Sequence, residues 1–362
     1  MFKLEKRLQP SQKWSSATPF LAVAGTMVFG GIMFFLLGID PYTAIRIIFW
    51  DPLFNPMYAD YARPQILIKA GPLILIAIGL AIGFKANVWN IGAEGQYIIG
   101  AIFGAGVGLA FYPNDAWYIF PLMVVAGAFG GFIWAMIPAL LKIKFNTNEI
   151  LVSLMLVYVA EKILVSMSLG LLRNPEGGGF PGSRNLQYYD AAANRELITG
   201  TGLHWGVLFA SGLICLMYIM LNKHLLGYQI KISGQSQKAT RFSGTNPSIL
   251  VAICFGISGG LAGLAGLFEV SGPSGQISID FNVGYGFTAI IVAFLGRLNP
   301  IGILLAGLLM ALTYIGGELA QFILGLPAAA IQAFQGMLLF FLLAGDIFTN
   351  YKIKLTKKGG TT

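Results

Sequence analysis

The sequence contains few charged residues. Charged side chains make up 10% of its 362 residues and hydrophobic residues make up 56%, whereas soluble domains contain roughly 25% charged residues. This shortage excludes an ordinary soluble globular fold. Several apolar runs exceed the length of about 20 residues that a helix needs to cross a bilayer. The composition therefore predicts an all-α, polytopic helical membrane protein.

Histidine and cysteine are also scarce, with two of each. His204 and His224 fit no metal-ligand spacing, and Cys215 and Cys254 lie far apart within apolar runs. These positions predict neither a disulfide framework nor a metal site. We expect no metal.

Catalytic signatures are missing as well. No Gly-Lys pair occurs, so the chain has no phosphate-binding loop of the GxxxxGK[ST] type. It has neither an HExxH motif nor a strand-to-helix GxSxG elbow. The net charge of +8 is spread along the chain and forms no basic patch. The sequence thus predicts no catalytic residue, no cofactor and no nucleic-acid partner, and it offers no nucleophile–base pair for an intramembrane enzyme.

The apolar runs predict ten membrane spans between a cytoplasmic segment, residues 1–18, and a basic cytoplasmic tail, residues 346–362. The spans within the 19–345 domain are 19–39, 66–84, 97–111, 117–141, 149–172, 204–221, 249–270, 287–298, 301–324 and 328–343. The eighth is short enough to be re-entrant. If both termini are cytoplasmic, most of the 23 lysines and arginines lie on the cytoplasmic side of the membrane. Arg63 and Lys69 then fall outside.

A long polar segment, residues 173–203, divides the predicted spans into five and five. We expect it to be an external loop. An odd number of spans in each half makes the second half start from the opposite side of the membrane. That arrangement is typical of the inverted repeats found in transporters.

A polar cluster, Asn90, Glu94 and Gln96, interrupts the apolar sequence within NIGAEGQ. A carboxylate at membrane depth is expensive unless it faces a cavity or a partner. We therefore interpret the cluster as part of a discontinuous helix that lines a substrate pathway. The alternative is a solvated cytoplasmic turn after the second span.

A second polar cluster contains Glu269 and Gln276, near the outer end of the seventh span. It is either a further part of the pathway or an interfacial cap. Aromatic residues border the two clusters and would suit a ligand with a flat ring, although aromatic residues are also common in interfacial belts. They are Trp89, Tyr97, Tyr285 and Phe287.

The segment 222–248 is polar and basic, between two apolar spans. Gly234 and Gly244 bracket a short helix in SQKATRF, on which Ala239 and Phe242 share one face. A helix this short is not stable alone. The segment is either an ordinary solvated loop or the docking helix for a soluble partner.

The motifs NVWNIGAEGQ, NTNEILVSLMLVYVA, GYQIKISGQSQKATRFSGTNPS and SGGLAGLAG follow one another in this order. In that order they resemble the permease subunits of ATP-binding-cassette (ABC) importers. The branch is the one that imports nucleosides and simple sugars with a lipoprotein binding subunit. The resemblance covers roughly residues 66–345. SGQSQKAT departs from it, because relatives have a helix richer in Asn and Ala.

The resemblance implies that the 222–248 segment couples to a cytoplasmic ABC ATPase through Gly234, Ala239, Arg241 and Gly244. It also implies a second related permease, an external substrate-binding lipoprotein and a place in the bacterial cytoplasmic membrane. The expected substrate is a nucleoside. A simple sugar is the first alternative, and an ion-coupled secondary transporter that uses Glu94, Glu269 and Glu318 is the second.

Overall fold

The computed structural model describes residues 2–7 and 11–355, and these residues are mainly helical. The helices are α1 (Gln12–Leu36), α2 (Pro41–Phe49), α3 (Asp51–Phe54), α4 (Ala59–Lys85), α5 (Ala93–Phe111), α6 (Ile119–Phe145), α7 (Glu149–Leu169), α8 (Trp205–Lys223), α9 (Leu225–Gln235), α10 (Gln237–Phe242), α11 (Pro247–Ser271), α12 (Tyr285–Leu295), α13 (Pro300–Leu324) and α14 (Ala328–Asn350). The strands are β1 (Phe2–Lys6), β2 (Glu196–Ile198), β3 (Leu203–His204) and β4 (Tyr351–Leu355). This architecture confirms the all-α prediction.

Polar side chains define several of the helix starts. Asn148 begins α7, where its side-chain oxygen accepts a hydrogen bond of 3.0 Å from the backbone N–H of Ile150. Asn246 begins α11 in the same way, with 2.9 Å to the N–H of Ser248 and proline in the next position. Such caps satisfy N–H groups that the helix itself leaves unpaired. The predicted fifth span, residues 149–172, begins directly after the first of these caps.

Nine helices in the described part of the chain are long and apolar enough to cross a membrane. They are α1, α4 to α8, α11, α13 and α14. The eighth predicted span corresponds to α12, which has 11 residues and is therefore about 16 Å long. This is about half the thickness of a hydrocarbon core, so α12 alone does not span.

The two ends of the chain pair with each other. Strands β1 and β4 are antiparallel, with Phe2 opposite Leu355 and Lys6 opposite Tyr351. Both ends therefore lie on the same side of the membrane, which requires an even number of crossings. If all nine apolar helices among the described residues cross the membrane, α12 together with the extended connection that precedes it, residues 272–284, is left to supply a tenth crossing.

Several predicted boundaries differ from those of the structure. Helix α1 begins at Gln12, so the first span starts within the segment 1–18. Helix α14 continues to Asn350 and takes up the start of the predicted tail; residues 356–362 of that tail lie outside the described residues. Helices α2 and α3 in the first polar connection were not predicted, nor was α9.

The chain divides into two units, of which the larger comprises Arg63–Ala311. Its centre is formed by α5, α6 and α11, which approach each other at glycines. A Cβ on Gly100 would lie 2.1 Å from the Cα of Gly263, and a Cβ on Gly131 would lie 2.1 Å from the carbonyl oxygen of Gly259. Small residues permit such backbone contacts, which hold helices together in lipid.

The smaller unit comprises Met1–Ala62 and Leu312–Thr362. Helices α1 and α14 pack along each other, and the rings of Phe34 and Phe334 stack with their centroids 5.7 Å apart. Ile47 and Ile48 of α2 and Ile331 of α14 complete this core, in which each of these side chains is at most 5% exposed.

The segment 173–203 is tied to the connection that follows α11. The backbone N–H groups of Asn194, Leu186 and Ser183 donate to the carbonyl oxygens of Ser271, Gly275 and Ile277, at 2.9, 2.7 and 2.8 Å. A short hairpin of β2 and β3 leads from this segment into α8. The segment is therefore fixed along much of its length to the start of the α11–α12 connection.

Candidate functional site

The predicted cluster in NIGAEGQ lies at the junction of α4 and α5. The side-chain amides of Asn90 and Gln96 pair reciprocally: the Asn90 Nδ2 donates to Gln96 Oε1 at 2.8 Å, and the Gln96 Nε2 donates to Asn90 Oδ1 at 3.0 Å. Asn90 also donates to the hydroxyl of Ser258 on α11 at 3.0 Å. The polar groups at this break in the helix are thus satisfied by one another.

The same segment is anchored to α7. The backbone N–H of Ile91 donates to the hydroxyl of Ser153 at 3.1 Å. Asn90, Glu94 and Gln96 are all at most 2% exposed. The alternative of a solvated turn is therefore wrong.

Glu94 caps the N-terminus of α12. Its Oε1 accepts a hydrogen bond of 3.1 Å from the backbone N–H of Gly284, and its Oε2 accepts one from the N–H of Gly286. The backbones are in close contact here, since a Cβ on Gly286 would lie 2.3 Å from the Glu94 nitrogen. The first N–H groups of a helix lack partners within it and attract negative charge, so the carboxylate is well placed to satisfy them.

A second glutamate holds the same connection. Glu161 of α7 accepts a hydrogen bond of 2.8 Å from the side chain of Asn282. Residues 282–286 are thus held by carboxylates from α5 and α7. The start of α12 meets the start of α5, although the sequence places their two preceding connections on opposite sides of the membrane.

Aromatic rings connect Glu94 with Glu269. The ring of Tyr97 stacks on Phe281 with centroids 5.2 Å apart and meets the ring of Tyr285 edge-on at 5.8 Å. Tyr97 lies within electrostatic range of both glutamates. The structure therefore brings parts of the two predicted polar clusters into one buried region.

Lys69 belongs to this region, although the sequence-based topology counts it among the basic residues that fall outside the membrane. It is part of α4, and its ammonium lies 5.5 Å from the centre of the Tyr285 ring. It also interacts electrostatically with Glu269. A cation over an aromatic face is attracted by the ring, and here it also lies near a buried carboxylate. A lysine in an otherwise apolar run was the signal that could have identified it.

Glu269 lines a small cavity between α4, α8 and α11. Asn194 and His204 line it too, and each of the three residues is at most 6% exposed. Glu269 Oε2, His204 Nδ1 and Asn194 Oδ1 have no hydrogen-bond partner among the described residues. The cavity offers about 20 Å³ to the centres of water molecules, which is room for about one. Asn194 and His204 were not predicted.

Gln276 is separated from this cavity. It is exposed in the connection after α11, and its side chain lies next to Gly182 of the external segment. A pathway role for Gln276, as for Asn90, Glu94, Gln96 and Glu269, stays a prediction.

The predicted docking helix is α10, with six residues. Ser236 begins it by accepting a hydrogen bond of 3.3 Å from the N–H of Ala239. Thr240 is buried, whereas Ala239 and Arg241 are exposed and Phe242 is 93% exposed. The helix thus presents an uncovered phenyl ring outward.

The two glycines that bracket this helix have different structural roles. Gly244 follows α10 with φ +77°, the left-handed conformation that commonly ends a helix. Gly234 lies within α9, and a Cβ there would be 2.0 Å from the carbonyl oxygen of Lys85. Gly234 therefore allows α9 to pack on the end of α4, which the sequence did not predict. Contacts of Gly234 and Gly244 with an ATPase stay a prediction.

Comparison with known proteins gives a family and named relatives. The family described as "Branched-chain amino acid transport system / permease component" matches residues 63–343. A glucose ABC transporter permease of Haloferax volcanii is 33% identical over 93% of this chain and 89% of its own length. A guanosine ABC transporter permease of Bacillus subtilis is 26% identical over 94% of this chain and 97% of its own length. A nucleoside ABC transporter permease of Lactococcus lactis is 26% identical over 90% of this chain and 89% of its own length.

Proposed function

The chain belongs to the family of branched-chain amino acid transport system permease components, and we propose that it is the permease of an ABC importer for nucleosides. The family membership and the nine apolar helices make it a multi-pass membrane transport subunit. The observation that carries the nucleoside proposal is near-full-length similarity to the guanosine and nucleoside permeases of two bacteria. The ion-coupled alternative has no such support, since the named relatives are ABC transporter permeases.

The aromatic residues of the buried region are compatible with a ring-bearing substrate. Tyr97, Phe281 and Tyr285 pack against one another next to Glu94 and Glu269, and each is at most 3% exposed, so a substrate would reach these rings only when the surrounding helices separate. A nucleobase stacks on such rings, and the hydroxyl groups of its sugar need hydrogen-bonding partners. In this proposal the pathway passes this region, and the polar residues Asn90 and Gln96 hold its wall in place.

The second candidate is a simple sugar. The observation that favours it is the higher identity, 33%, to the glucose permease of Haloferax volcanii. A sugar would use the same hydroxyl-binding groups and would need no aromatic stacking. The two substrates are therefore distinguished by the nucleobase.

Uptake competition tests the substrate. Cells that produce the complete importer are given radiolabelled guanosine or uridine. Unlabelled nucleosides should reduce uptake, while ribose, galactose and glucose in the same excess should not. Competition by free sugars alone would establish the sugar importer instead.

The proposal includes partners. ATP hydrolysis belongs to a cytoplasmic ABC ATPase that contacts α10 through Ala239, Arg241 and Phe242, and the 93% exposed phenyl ring of Phe242 offers this partner an apolar contact. A second related permease and an external substrate-binding lipoprotein complete the importer in the bacterial cytoplasmic membrane. Purification of the tagged chain in mild detergent should yield a stoichiometric ATPase. Its repeated absence would contradict this assembly.

A further inference from the structure

We propose that the larger unit binds one phospholipid with a protonated amine headgroup, of the phosphoethanolamine type. The site has two adjoining parts. One is an apolar groove between α6 and α8, and the other is a polar pocket where the turn before α6 meets the external segment. Phe120 and Trp205 line both parts.

The apolar groove has a volume of about 700 Å³. Its wall on α8 consists of residues at helical spacing, from Trp205 through Leu208, Phe209 and Gly212 to Leu216. From Trp205 to Leu216 this face measures about 16 Å at 1.5 Å per residue. One leaflet of the hydrocarbon core is about 15 Å deep. The groove therefore has the length of one leaflet.

The floor of the groove is open at Gly212. A Cβ at this position would meet no heavy atom within 4 Å. Phe268 of α11 forms part of the wall, and its ring lies 5.5 Å from that of Phe209. An acyl chain lying along α8 would contact rings and aliphatic side chains without displacing any of them.

The polar pocket has a volume of about 440 Å³. Trp117, at 87% exposure, stands at its edge. Exposed tryptophans mark the level of the lipid headgroups. The pocket therefore lies where the headgroup of a lipid in the groove would be.

Three charged residues line the pocket, Arg195, Asp115 and Asp190. None of them forms an ion pair or a side-chain hydrogen bond with any other residue that the structure describes, and all three are exposed. One cation and two anions complement a headgroup that carries a phosphate and an ammonium. Arginine binds phosphate oxygens through its planar N–H groups, and carboxylates accept hydrogen bonds from an ammonium.

These charges favour a lipid over a protein partner. A second permease that covered the groove would have to place an ammonium and an anion over the same pocket, whereas an amine phospholipid carries both on the group next to its chains. The two aspartates disfavour an anionic phosphoglycerol headgroup. A phosphocholine headgroup has the phosphate but no N–H donor for the aspartates.

Fluorescence quenching tests the site on the purified full chain together with the subunits that co-purify with it. Phospholipids with brominated acyl chains and phosphoethanolamine, phosphocholine or phosphoglycerol headgroups are titrated. The difference between the wild type and Trp205→Phe isolates quenching at the groove. The phosphoethanolamine lipid should saturate this signal at a concentration about 10-fold lower than the phosphoglycerol lipid.

Matched variants distinguish the contribution of the polar pocket, which binds the headgroup, from that of the apolar groove, which binds the acyl chain. Arg195→Gln should raise the half-saturating concentration of the phosphoethanolamine lipid by about 10-fold, while Arg173→Gln, an exposed arginine outside the pocket, should not. Asp115→Asn combined with Asp190→Asn should abolish the preference for phosphoethanolamine over phosphocholine. Gly212→Leu should fill the groove and abolish saturation, whereas Gly336→Leu, at an equally open helical glycine, should leave it intact.

Two outcomes would overturn the proposal. Equal quenching by the three headgroups would show ordinary surrounding lipid without a headgroup site. Absence of any Trp205-dependent quenching, in variants that remain monodisperse, would show that another protein chain covers the groove.

Discussion

The contact between Glu94 and the start of α12 leads to a quantitative prediction for Glu94→Gln. The carboxylate accepts from the backbone N–H groups of Gly284 and Gly286 with one oxygen each. Glutamine has nearly the same shape, but it offers one oxygen and one NH₂ group. One of the two buried N–H groups then faces a donor and loses its acceptor.

The expected loss of stability can be worked out from these contacts. A buried donor left without an acceptor costs about 1–3 kcal/mol, and removing an anion from a buried helix N-terminus costs up to about 2 kcal/mol. Together we expect about 3 kcal/mol. For a unit the size of residues 63–311, each kcal/mol lowers the melting temperature by roughly 2–4 °C. The variant should therefore melt about 6–12 °C lower.

This shift is measured by heating samples of the detergent-purified chain and using size-exclusion chromatography to determine how much folded protein remains at each temperature. Hydrogen–deuterium exchange should also become faster in the peptide that contains Gly284 and Gly286 and remain unchanged elsewhere. Glu318→Gln is the matched control, because Glu318 is an exposed glutamate within α13. An unchanged melting temperature with altered transport would refute the cap and favour a direct pathway role for Glu94.

Three further predictions concern other parts of the chain. Ala239→Arg or Phe242→Asp should abolish import without preventing membrane insertion, because the exposed face of α10 would carry an unpaired charge into its partner; normal uptake in both variants would disprove docking through this face. Gly263→Val should reduce the monodisperse yield, since its Cβ would lie 2.3 Å from a facing backbone carbonyl oxygen, while Gly106→Val, which has open space, should not. Burial lowers the pKa of His204 below its ordinary value of 6.5, so on acidification the unfolded chain binds a proton that the folded chain does not. The melting temperature should therefore be lower at about pH 5.5 than at about pH 7.5, and this decrease should be smaller in His204→Gln.

The helices were predictable because the signal for them is local. Long apolar runs predicted every candidate membrane span among the described residues, and the predicted start of the fifth span at residue 149 coincides with the start of α7. Ala239 and Phe242 on one face of a short helix between two breakers likewise predicted α10. Each of these inferences needs only the residues within one or two turns.

The contacts of the site were not predictable because they join distant parts of the chain. Glu94 and Gly286 are 192 positions apart, and no periodicity indicates that the start of α5 meets the start of α12. The sequence identified Glu94 as a costly buried carboxylate, but its partner is a pair of backbone N–H groups that every residue type except proline carries. Lys69 was misplaced for a related reason, since its ring partner Tyr285 lies on another helix.

The same contacts indicate which helices have room to shift against their neighbours and which do not. Helices α5, α6 and α11 meet at glycine backbones, where a Cβ would lie about 2 Å from its neighbour, so they form a frame with little room to slide. Helix α8 is mostly exposed. It begins after His204, at the cavity that contains Glu269, and ends at His224, which caps α9. If an ATPase binds α10, as proposed, we expect a displacement of α10 to reach the outer cavity through α9 and α8, because these helices follow one another along the chain.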